Sequence, residues 1–270
     1  MTIRPATQAD KFYPGNPRQL AALVDGMLEK AAARIREPAP EPKALIAPHA
    51  GYIYSGPVAA SAYALLAQSR GRIRRAALFG PSHWTDFEGV AGPEAEAFAT
   101  PLGVLPVEVE TMRELAEAGA IELWDSPHWP EHSLEVHLPF LQRALGDCAI
   151  LPFLVGRAGP EEVGRVMEAV YGGPETCLIV SSDLSHYLDY ETARAKDRRT
   201  AEAILALDYE HIDGEAACGY APVRGLLWLA RRRGLRPRLL DLRNSGDTAG
   251  PADRVVGYGA FAFEEPEPSG

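Results

Sequence analysis

Three short apolar runs in this chain each lead directly into a segment that carries a histidine. Each run has the length and composition of a buried strand. The runs span residues 44–47, 74–80 and 176–182. His49, His83 and His186 follow them in that order, and each polar loop is expected to lead into a helix. Because ligands of open α/β sheets bind just beyond the carboxyl ends of the strands, the sequence predicts three loops that converge on one site.

The rest of the sequence alternates between helical spacing and strand-like runs. Pro57 is expected to begin the first of the site helices, because its missing N–H would have no partner there. The predicted helices are 18–35, 58–67, 106–119, 133–145, 160–171, 190–207 and 222–233; the further strands are 149–155, 237–242 and 255–263, with short strands or a hairpin in 90–103 and a loop over 122–130. This alternation predicts a single α/β domain over residues 1–270, with a mostly parallel central sheet flanked by helices on both faces.

Both ends of the domain and one connector depart from this alternation. Residues 1–17 are expected to form an N-terminal arm laid over the domain, with Phe12 and Tyr13 as its apolar anchors. Residues 37–42 form a proline-rich connector, and residues 264–270 are expected to form a flexible tail.

Composition excludes several classes of function. Hydrophobic residues make up 46% of the chain, enough for a sizeable core, and the formal net charge of −10 argues against a nucleic-acid or anionic-membrane surface. Three cysteines are too few, and odd in number, for a disulfide framework, so a reducing cytoplasmic location is expected. The sequence has neither a signal-like start nor an apolar run long enough to span a membrane.

The histidines favour a metal site. A neutral imidazole binds transition metals through a ring nitrogen. A single histidine at a strand end more often caps backbone groups, but three in equivalent positions favour the functional interpretation. No glycine-rich phosphate loop of the known patterns occurs, so a nucleotide cofactor is not expected.

A second dense patch, EHSLEVH, begins at Glu131. Its two histidines are five residues apart and cannot share one helix face, which excludes the metalloprotease pattern HExxH. His132, at the helix entrance, is therefore the better site candidate, while His137 is expected to be structural or exposed. Glu131 is a candidate to orient an imidazole, as Asp183 is for His186. The contribution of His128, in the preceding loop, is left open.

Cysteine and serine chemistry leave two further alternatives. Cys218 is either a buried small hydrophobe or a thiolate held near a helix N-terminus, whereas Cys148 and Cys177 are expected to be inert core residues. Ser82, Ser181 and Ser182 raise a serine hydrolase alternative. It is disfavoured because the chain has no GxSxG elbow and no recognisable order of nucleophile, acid and base.

Five ordered motifs resemble those of the Memo family. They are APHAGYIYSG, FGPSH, EHSLEVHLPFLQ, SSDLSHY and CGYAP, with FYPG before them and VGYGAF after them. The prokaryotic members of this family are called AmmeMemoRadiSam system protein B. The resemblance covers nearly the whole chain. It implies a fold similar to the class III extradiol ring-cleaving dioxygenases, which hold Fe(II) by two histidines and a glutamate and open catechol rings with O2.

The resemblance also implies a role for each motif residue. His49, His83 and Cys218 correspond to metal ligands, with Cys218 where the dioxygenases have their glutamate. His186 corresponds to the acid/base histidine, and His132 to a substrate or oxygen contact. Besides these, the candidates to bind substrate or to orient the imidazoles are Glu131, Asp183, Tyr54 and Ser82.

The implied function is that of a mononuclear non-haem metal oxidoreductase with one divalent metal per chain. Fe(II) is expected first, and the softer thiolate set would also suit Cu or Zn. One alternative is a non-catalytic scaffold with a vestigial pocket for a small molecule or peptide, acting with radical SAM and AMMECR1-like proteins. Another is metal-assisted hydrolysis by a zinc-bound water.

Overall fold

The computed structural model describes residues 2–35 and 40–266. Within these residues the strands are β1 (Ile3–Arg4), β2 (Pro42–Ala47), β3 (Arg75–Pro81), β4 (Val90–Gly92), β5 (Ala97–Thr100), β6 (Gly103–Pro106), β7 (Glu122–Leu123), β8 (Ala149–Val155), β9 (Thr176–Ser181), β10 (His186–Leu188), β11 (Arg236–Asn244) and β12 (Val255–Glu264). The α-helices are α1 (Pro17–Ala32), α2 (Tyr52–Ala67), α3 (Val109–Glu117), α4 (Asp125–His128), α5 (Leu138–Ala144), α6 (Pro160–Ala169), α7 (Tyr190–Leu205) and α8 (Tyr220–Arg233). Met1, residues 37–39 of the predicted connector and the last four residues of the predicted tail lie outside the described residues.

The central sheet is mixed. Its strand order is β10-β12-β2-β9-β3-β8-β4-β7, with β11 paired to β12. The four strands β2, β9, β3 and β8 run parallel at its centre, whereas β12 pairs antiparallel with β2, and β4 with β8. Two groups of helices flank it: α1, α2 and α5 pack together, and α6 packs on α8. The predicted α/β fold is confirmed, and within the central sheet the parallel pairing is confined to its centre and to the β4–β7 pair.

The parallel centre sets the position of the site. Every residue of β2 and of β9 is buried, so both faces of these strands are covered. Ala47 and Ser181, the last residues of β2 and β9, are register partners. Because β2, β9 and β3 are parallel, the chain leaves all three strands at the same end of the sheet, their carboxyl end. The candidate residues lie at that end.

Helix α2 begins earlier than predicted. Pro57 is not its first residue, because the helix starts at Tyr52 after Gly51. Gly56 makes this interior proline tolerable, because it has no Cβ to clash with the proline ring. The missing N–H of Pro57 would have paired with the carbonyl of Ile53, a residue 63% exposed, where water can replace the bond.

Three other local predictions need correction. No helix follows His83; instead the chain turns at Gly89, whose φ is +84°, into β4. The predicted loop 122–130 contains β7 and α4. The predicted helix 133–145 is divided into a 3-10 turn, Glu135–His137, and α5, with Pro139 in the first turn of α5 as expected.

The N-terminal residues lie against the domain. β1 pairs with β5 in a small sheet that also contains β6, and Tyr13 is buried. The N–H of Tyr52 donates to the carbonyl of Phe12, which ties this segment to the start of α2. Among the described helices, none has both the length and the apolar composition needed to span a bilayer.

Candidate metal centre

Three imidazoles meet at the carboxyl edge of the parallel strands. His49 follows β2, His83 follows β3, and His132 lies in the loop before the 3-10 turn. The ring centroids of His83 and His132 are 4.5 Å apart, and that of His49 is 5.1 Å from His83 and 5.3 Å from His132. One ring nitrogen from each histidine lies within 4.8 Å of the other two. This donor set suits one transition-metal ion.

Glu131 anchors two of the three rings. Its Oε1 lies 2.9 Å from Nδ1 of His83 and 3.2 Å from Nδ1 of His132. Its oxygens also accept the backbone N–H groups of His83, His132 and Ser133 at 2.6–2.9 Å. Burial alone would raise the pKa of Glu131, but the hydrogen bonds and charge of His83, with the charge of His132, lower it to about 2. An ionised carboxylate therefore bonds to Nδ1 of His83 and lies close to Nδ1 of His132, which leaves both Nε2 atoms free for a ligand role.

His49 is held separately, at the ends of β2 and β9. Its Nδ1 is 2.6 Å from Oγ of Ser181, and its backbone N–H donates to Oδ1 of Asp183 at 2.8 Å. Burial, followed by the neighbouring histidines, lowers the pKa of His49 well below its usual range. The ring is therefore neutral at physiological pH, which is the form that binds metals.

Burial also keeps His132 neutral. It lowers the pKa of His132 to about 4, against an opposing effect of the Glu131 charge. The ring stacks on His83 and also on Phe12, whose centroid is 4.5 Å away with an interplanar angle of 23°. His132, assigned from the resemblance to substrate or oxygen contact, thus lies within the nitrogen cluster itself.

Cys218 lies beside this cluster rather than among its three nitrogens. Its Sγ is 3.3 Å from Nε2 of His49 and accepts the N–H of Asp183 at 3.3 Å. Burial, with a contribution from the Asp183 charge, raises the pKa of the Cys218 thiol, although a bound metal would deprotonate it. The role of Cys218 as a ligand stays a prediction, with His49 as its nearest ring.

His186 and Asp183 occupy different parts of the site. His186 is exposed, and its Nδ1 lies 2.8 Å from the carbonyl of Leu184, which leaves Nε2 free. Burial of part of the ring lowers the pKa of His186, and the charge of His83 adds to this effect. Asp183, expected to orient His186, bonds to the backbone of His49 instead. Burial raises the pKa of Asp183 to about 7.

The two remaining predicted residues support the surrounding loops. Ser82 donates its hydroxyl to the carbonyl of Thr85 at 2.7 Å, which closes the turn that carries His83. Tyr54 lies in the first turn of α2, half-buried and packed against the core. Both keep their assigned roles as predictions.

The other two buried histidines, His137 and His128, make hydrogen bonds within the protein interior. His137, expected to be structural or exposed, is fully buried between Tyr63 and Ser181. His128 packs edge-to-face against Phe98 of the small sheet, with Nε2 3.2 Å from the carbonyl of Ala91. Sequence reasoning did not identify Phe12 and Ser181 as neighbours of the cluster. The FYPG motif carried a signal for Phe12, whereas Ser181 had none beyond its position at a strand end.

A cavity of about 310 Å³ opens beside the cluster. Its lining includes His83, Trp84, Arg157, Cys218 and Tyr220. This volume is at the lower end of the range for small-molecule sites. The donor chemistry of the cluster and the adjacent cavity together fit a metal ion with room for a ligand at its side.

Fold and site together define the class of protein. It is an α/β protein with a candidate site for one metal ion at the carboxyl ends of its central strands. The sequence matches the family profile described as "Memo-like protein" over residues 4–262. The chain belongs to the Memo family, as its motifs predicted.

Curated relatives agree with this assignment. A MEMO1 family protein of Saccharolobus solfataricus is 38% identical over 232 residues, which cover 81% of each chain. A MEMO1 family protein of Methanosarcina barkeri is 35% identical over 278 residues, covering 97% of this chain and all of its own. An uncharacterized protein from Escherichia coli K12 is similar in structure, with a TM-score of 0.49 and 14% identity over 80% of this chain and 98% of its own. That last likeness is too low to carry a functional argument.

Proposed function

We propose that this chain is a mononuclear metal-dependent oxidoreductase, similar to the extradiol dioxygenases and loaded with Fe(II). The observation that carries the proposal is the cluster of His49, His83 and His132, with ring nitrogens within 4.8 Å of one another. Bound there, Fe(II) would supply redox chemistry with O2, and three protein ligands would leave open positions for substrate. Cu or Zn would fit the same nitrogens, and Cys218 would add a softer donor beside His49.

The residues around the cluster favour a substrate that gives up a proton during the reaction, because His186 can accept it. The Nδ1–H of His186 donates to the carbonyl of Leu184, so Nε2 of the same ring is free to take that proton. The lowered pKa of His186 keeps this nitrogen unprotonated at neutral pH. The cavity walls of Trp84 and Tyr220 offer flat apolar surfaces to an aromatic ring.

Metal content tests the site before any substrate is known. Protein purified without added metal or chelator is expected to hold about one equivalent of iron, and His49→Ala is expected to lose it. His211→Ala is the matched control, because His211 is exposed and paired with Asp208 on the surface. Iron content unchanged by His49→Ala would contradict the proposed site.

Oxygen uptake tests the reaction. Protein loaded anaerobically with Fe(II) is expected to consume O2 with a member of a catechol and phenol panel, and His186→Ala is expected to slow this at unchanged iron content. Absence of uptake with the whole panel would contradict the oxidoreductase proposal while leaving the metal site standing. Zinc-dependent hydrolysis that persists without O2 would favour the hydrolytic alternative.

A second candidate function is binding without turnover. Trp84 and Tyr187 are 67% and 62% exposed, and each directly follows a site histidine. Exposed aromatic residues at a site entrance are typical of surfaces that bind a peptide or a protein. In this version the partners are radical SAM and AMMECR1-like proteins. Co-purification that is lost in Trp84→Ala but kept in His49→Ala would support it.

A further inference from the structure

A buried hydrogen-bond chain extends from His49 away from the site into the core. Oγ of Ser181 lies 2.6 Å from Nδ1 of His49 and 2.8 Å from Nε2 of His137. The same oxygen is 2.6 Å from the carbonyl of Ser133. On the far side of His137, Nδ1 lies 2.9 Å from the hydroxyl of Tyr63. Every side chain in this hydrogen-bond chain is buried.

Only one arrangement of protons satisfies this chain. The carbonyl of Ser133 can only accept, so the single hydroxyl proton of Ser181 must point to it. Oγ of Ser181 must then accept from both imidazoles, which places protons on Nδ1 of His49 and on Nε2 of His137. Nδ1 of His137 is left bare, and it accepts the hydroxyl proton of Tyr63. Every donor in the chain then has an acceptor.

Each alternative leaves a buried group unpaired. If Ser181 donated to either histidine, its oxygen and the Ser133 carbonyl oxygen would face each other at 2.6 Å with no proton between them. If Nδ1 of His137 carried the proton, it would donate to the hydroxyl oxygen of Tyr63. The hydroxyl proton of Tyr63 would then no longer have Nδ1 as its acceptor. A buried polar group without a partner destabilises the fold, so the first arrangement is favoured.

We propose that Ser181 is a positioning residue that fixes His49 as the tautomer with a bare Nε2, using a proton arrangement set by Ser133, His137 and Tyr63. The inference rests on the proposed metal centre for its purpose but not for its geometry. Nε2 of His49 is the ring nitrogen next to Cys218 Sγ. A neutral imidazole offers a metal only the nitrogen that lacks the proton, so this tautomer keeps His49 ready to bind.

This hydrogen-bond chain acts as a fixed support for the His49 ring rather than as a path along which protons move. Tyr63 is fully buried, so the chain ends inside the core instead of in solvent. Burial also lowers the pKa of His137 to about 3, which keeps that ring neutral. A proton entering at His49 would therefore have no exit at the other end.

Nitrogen NMR of the metal-free protein tests the tautomers directly. Long-range proton–nitrogen spectra are expected to show the proton of His49 on Nδ1 and that of His137 on Nε2, two opposite tautomers in one chain. A proton on Nε2 of His49 would overturn the proposal. Because no metal is present, this result stands even if the metal centre itself fails its own test.

Variants then connect the tautomer to binding. Ser181→Ala is expected to give mixed tautomers at His49 and about 10–100-fold weaker binding of Fe(II) in an anaerobic titration. Ser69→Ala, which removes a buried serine hydroxyl just beyond the opposite end of α2, is the matched control and is expected to change neither. Unchanged tautomers in Ser181→Ala would contradict the assignment.

A milder variant keeps the test decisive if Ser181→Ala does not fold. Tyr63→Phe keeps the ring in the core and removes only the donor to Nδ1 of His137. Because Ser181 still accepts from Nε2 of His137, both tautomers are expected to persist, while the Nδ1 resonance of His137 shifts when it loses its donor. A His137 spectrum that does not change in Tyr63→Phe would overturn the proposed chain.

Discussion

Glu131 holds two of the three candidate ligands with one carboxylate. Burial raises the pKa of Glu131, but the hydrogen bonds and charge of His83, with the charge of His132, outweigh it and favour the ionised form. Ser181, through its single Oγ, serves the same purpose for the ring of His49. At the scale of single residues, the site is thus defined as much by these supports as by the imidazoles.

Replacing the carboxylate should weaken the centre. In Glu131→Gln the amide keeps the shape but loses the negative charge and has only one oxygen to accept the N–H groups of His83, His132 and Ser133. We expect about 10–100-fold weaker binding of Fe(II), measured by anaerobic titration. Glu110→Gln, at an exposed surface pair with Arg113, should leave binding unchanged. Equal affinity of Glu131→Gln and wild type would show that Glu131 does not support the ligands.

Asp183 gives a pH dependence of known sign. Burial raises its pKa to about 7 from 3.8, so the folded protein holds a proton that the unfolded chain has released between these values. The contribution to stability is therefore fully favourable below about 4 and declines as pH rises to 7, by roughly 1.4 kcal/mol per pH unit.

The measurement is urea unfolding of metal-free protein between about pH 5 and pH 8, compared with Asp183→Asn. The amide oxygen of the variant can still accept the His49 N–H, so the difference between the two proteins isolates the ionisation. We expect the stability of wild type to fall relative to the variant across this range. Parallel pH profiles would contradict the raised pKa.

At the scale of elements, β9 and α8 meet at a backbone contact. A Cβ on Gly219, which precedes α8, would lie 2.4 Å from the carbonyl oxygen of Ser181, the last residue of β9. Glycine is required here by close approach of two backbones, not by an unusual dihedral angle. The contact holds Cys218 beside His49, because Cys218 immediately precedes this glycine.

Gly219→Ala should therefore destabilise the protein by about 1–3 kcal/mol, because either the strand end or the helix start must move. Gly26→Ala is the matched control: Gly26 lies inside α1 with nothing within 4 Å of an added Cβ. That change should stabilise by about 0.5–1 kcal/mol through helix propensity. Urea unfolding measures both, and a neutral effect at Gly219 would mean that the contact relaxes freely.

The elements also show which parts of the architecture sequence patterns could predict. The strand at 149–155 was predicted with its observed bounds because its apolar run is continuous and bounded by turn residues. The preference of proline for the first turn of a helix predicts a start at Pro57, but α2 begins after Gly51. The prediction fails because Gly51 caps the helix and Gly56 relieves the clash with the proline ring. The grouping of His132 with His49 and His83 depends on a loop path that no periodicity encodes. The sequence suggests only a nucleophile role for Ser181, because its partners come from two segments distant in sequence, His49 from one and Ser133 with His137 from the other.

At the scale of the whole molecule, Arg4 joins the N-terminal segment to the site loop. Its guanidinium bonds to Glu135 at 2.5 Å and to the carbonyls of His128 and Glu131 at 2.6 and 2.7 Å. Arg4 and Glu135 are both buried, and Tyr13 donates its hydroxyl to the same carboxylate. The loop that carries His132 is thus held from both sides.

Breaking this pair should cost more than a surface ion pair. Arg4→Met leaves the Glu135 carboxylate buried without its cation, and we expect about 3–5 kcal/mol of destabilisation in urea unfolding. The double variant Arg4→Met/Glu135→Gln should recover part of that loss, because it removes the unpaired charge. A single-variant loss below about 1 kcal/mol would place this pair with exposed ones such as Arg165–Glu161.

The stack of Phe12, His132 and His83 bears on how fast a metal leaves as well as on how tightly it is held. Because the His132 ring lies between two other rings, it cannot rotate away from a bound ion until one neighbour moves. Phe12 belongs to the N-terminal segment, whose strand β1 pairs with β5 in the small sheet and not in the central sheet. A metal ion bound at this cluster is therefore expected to leave more slowly while Phe12 is in place, and a chain shortened past Phe12 is expected to exchange a bound metal faster.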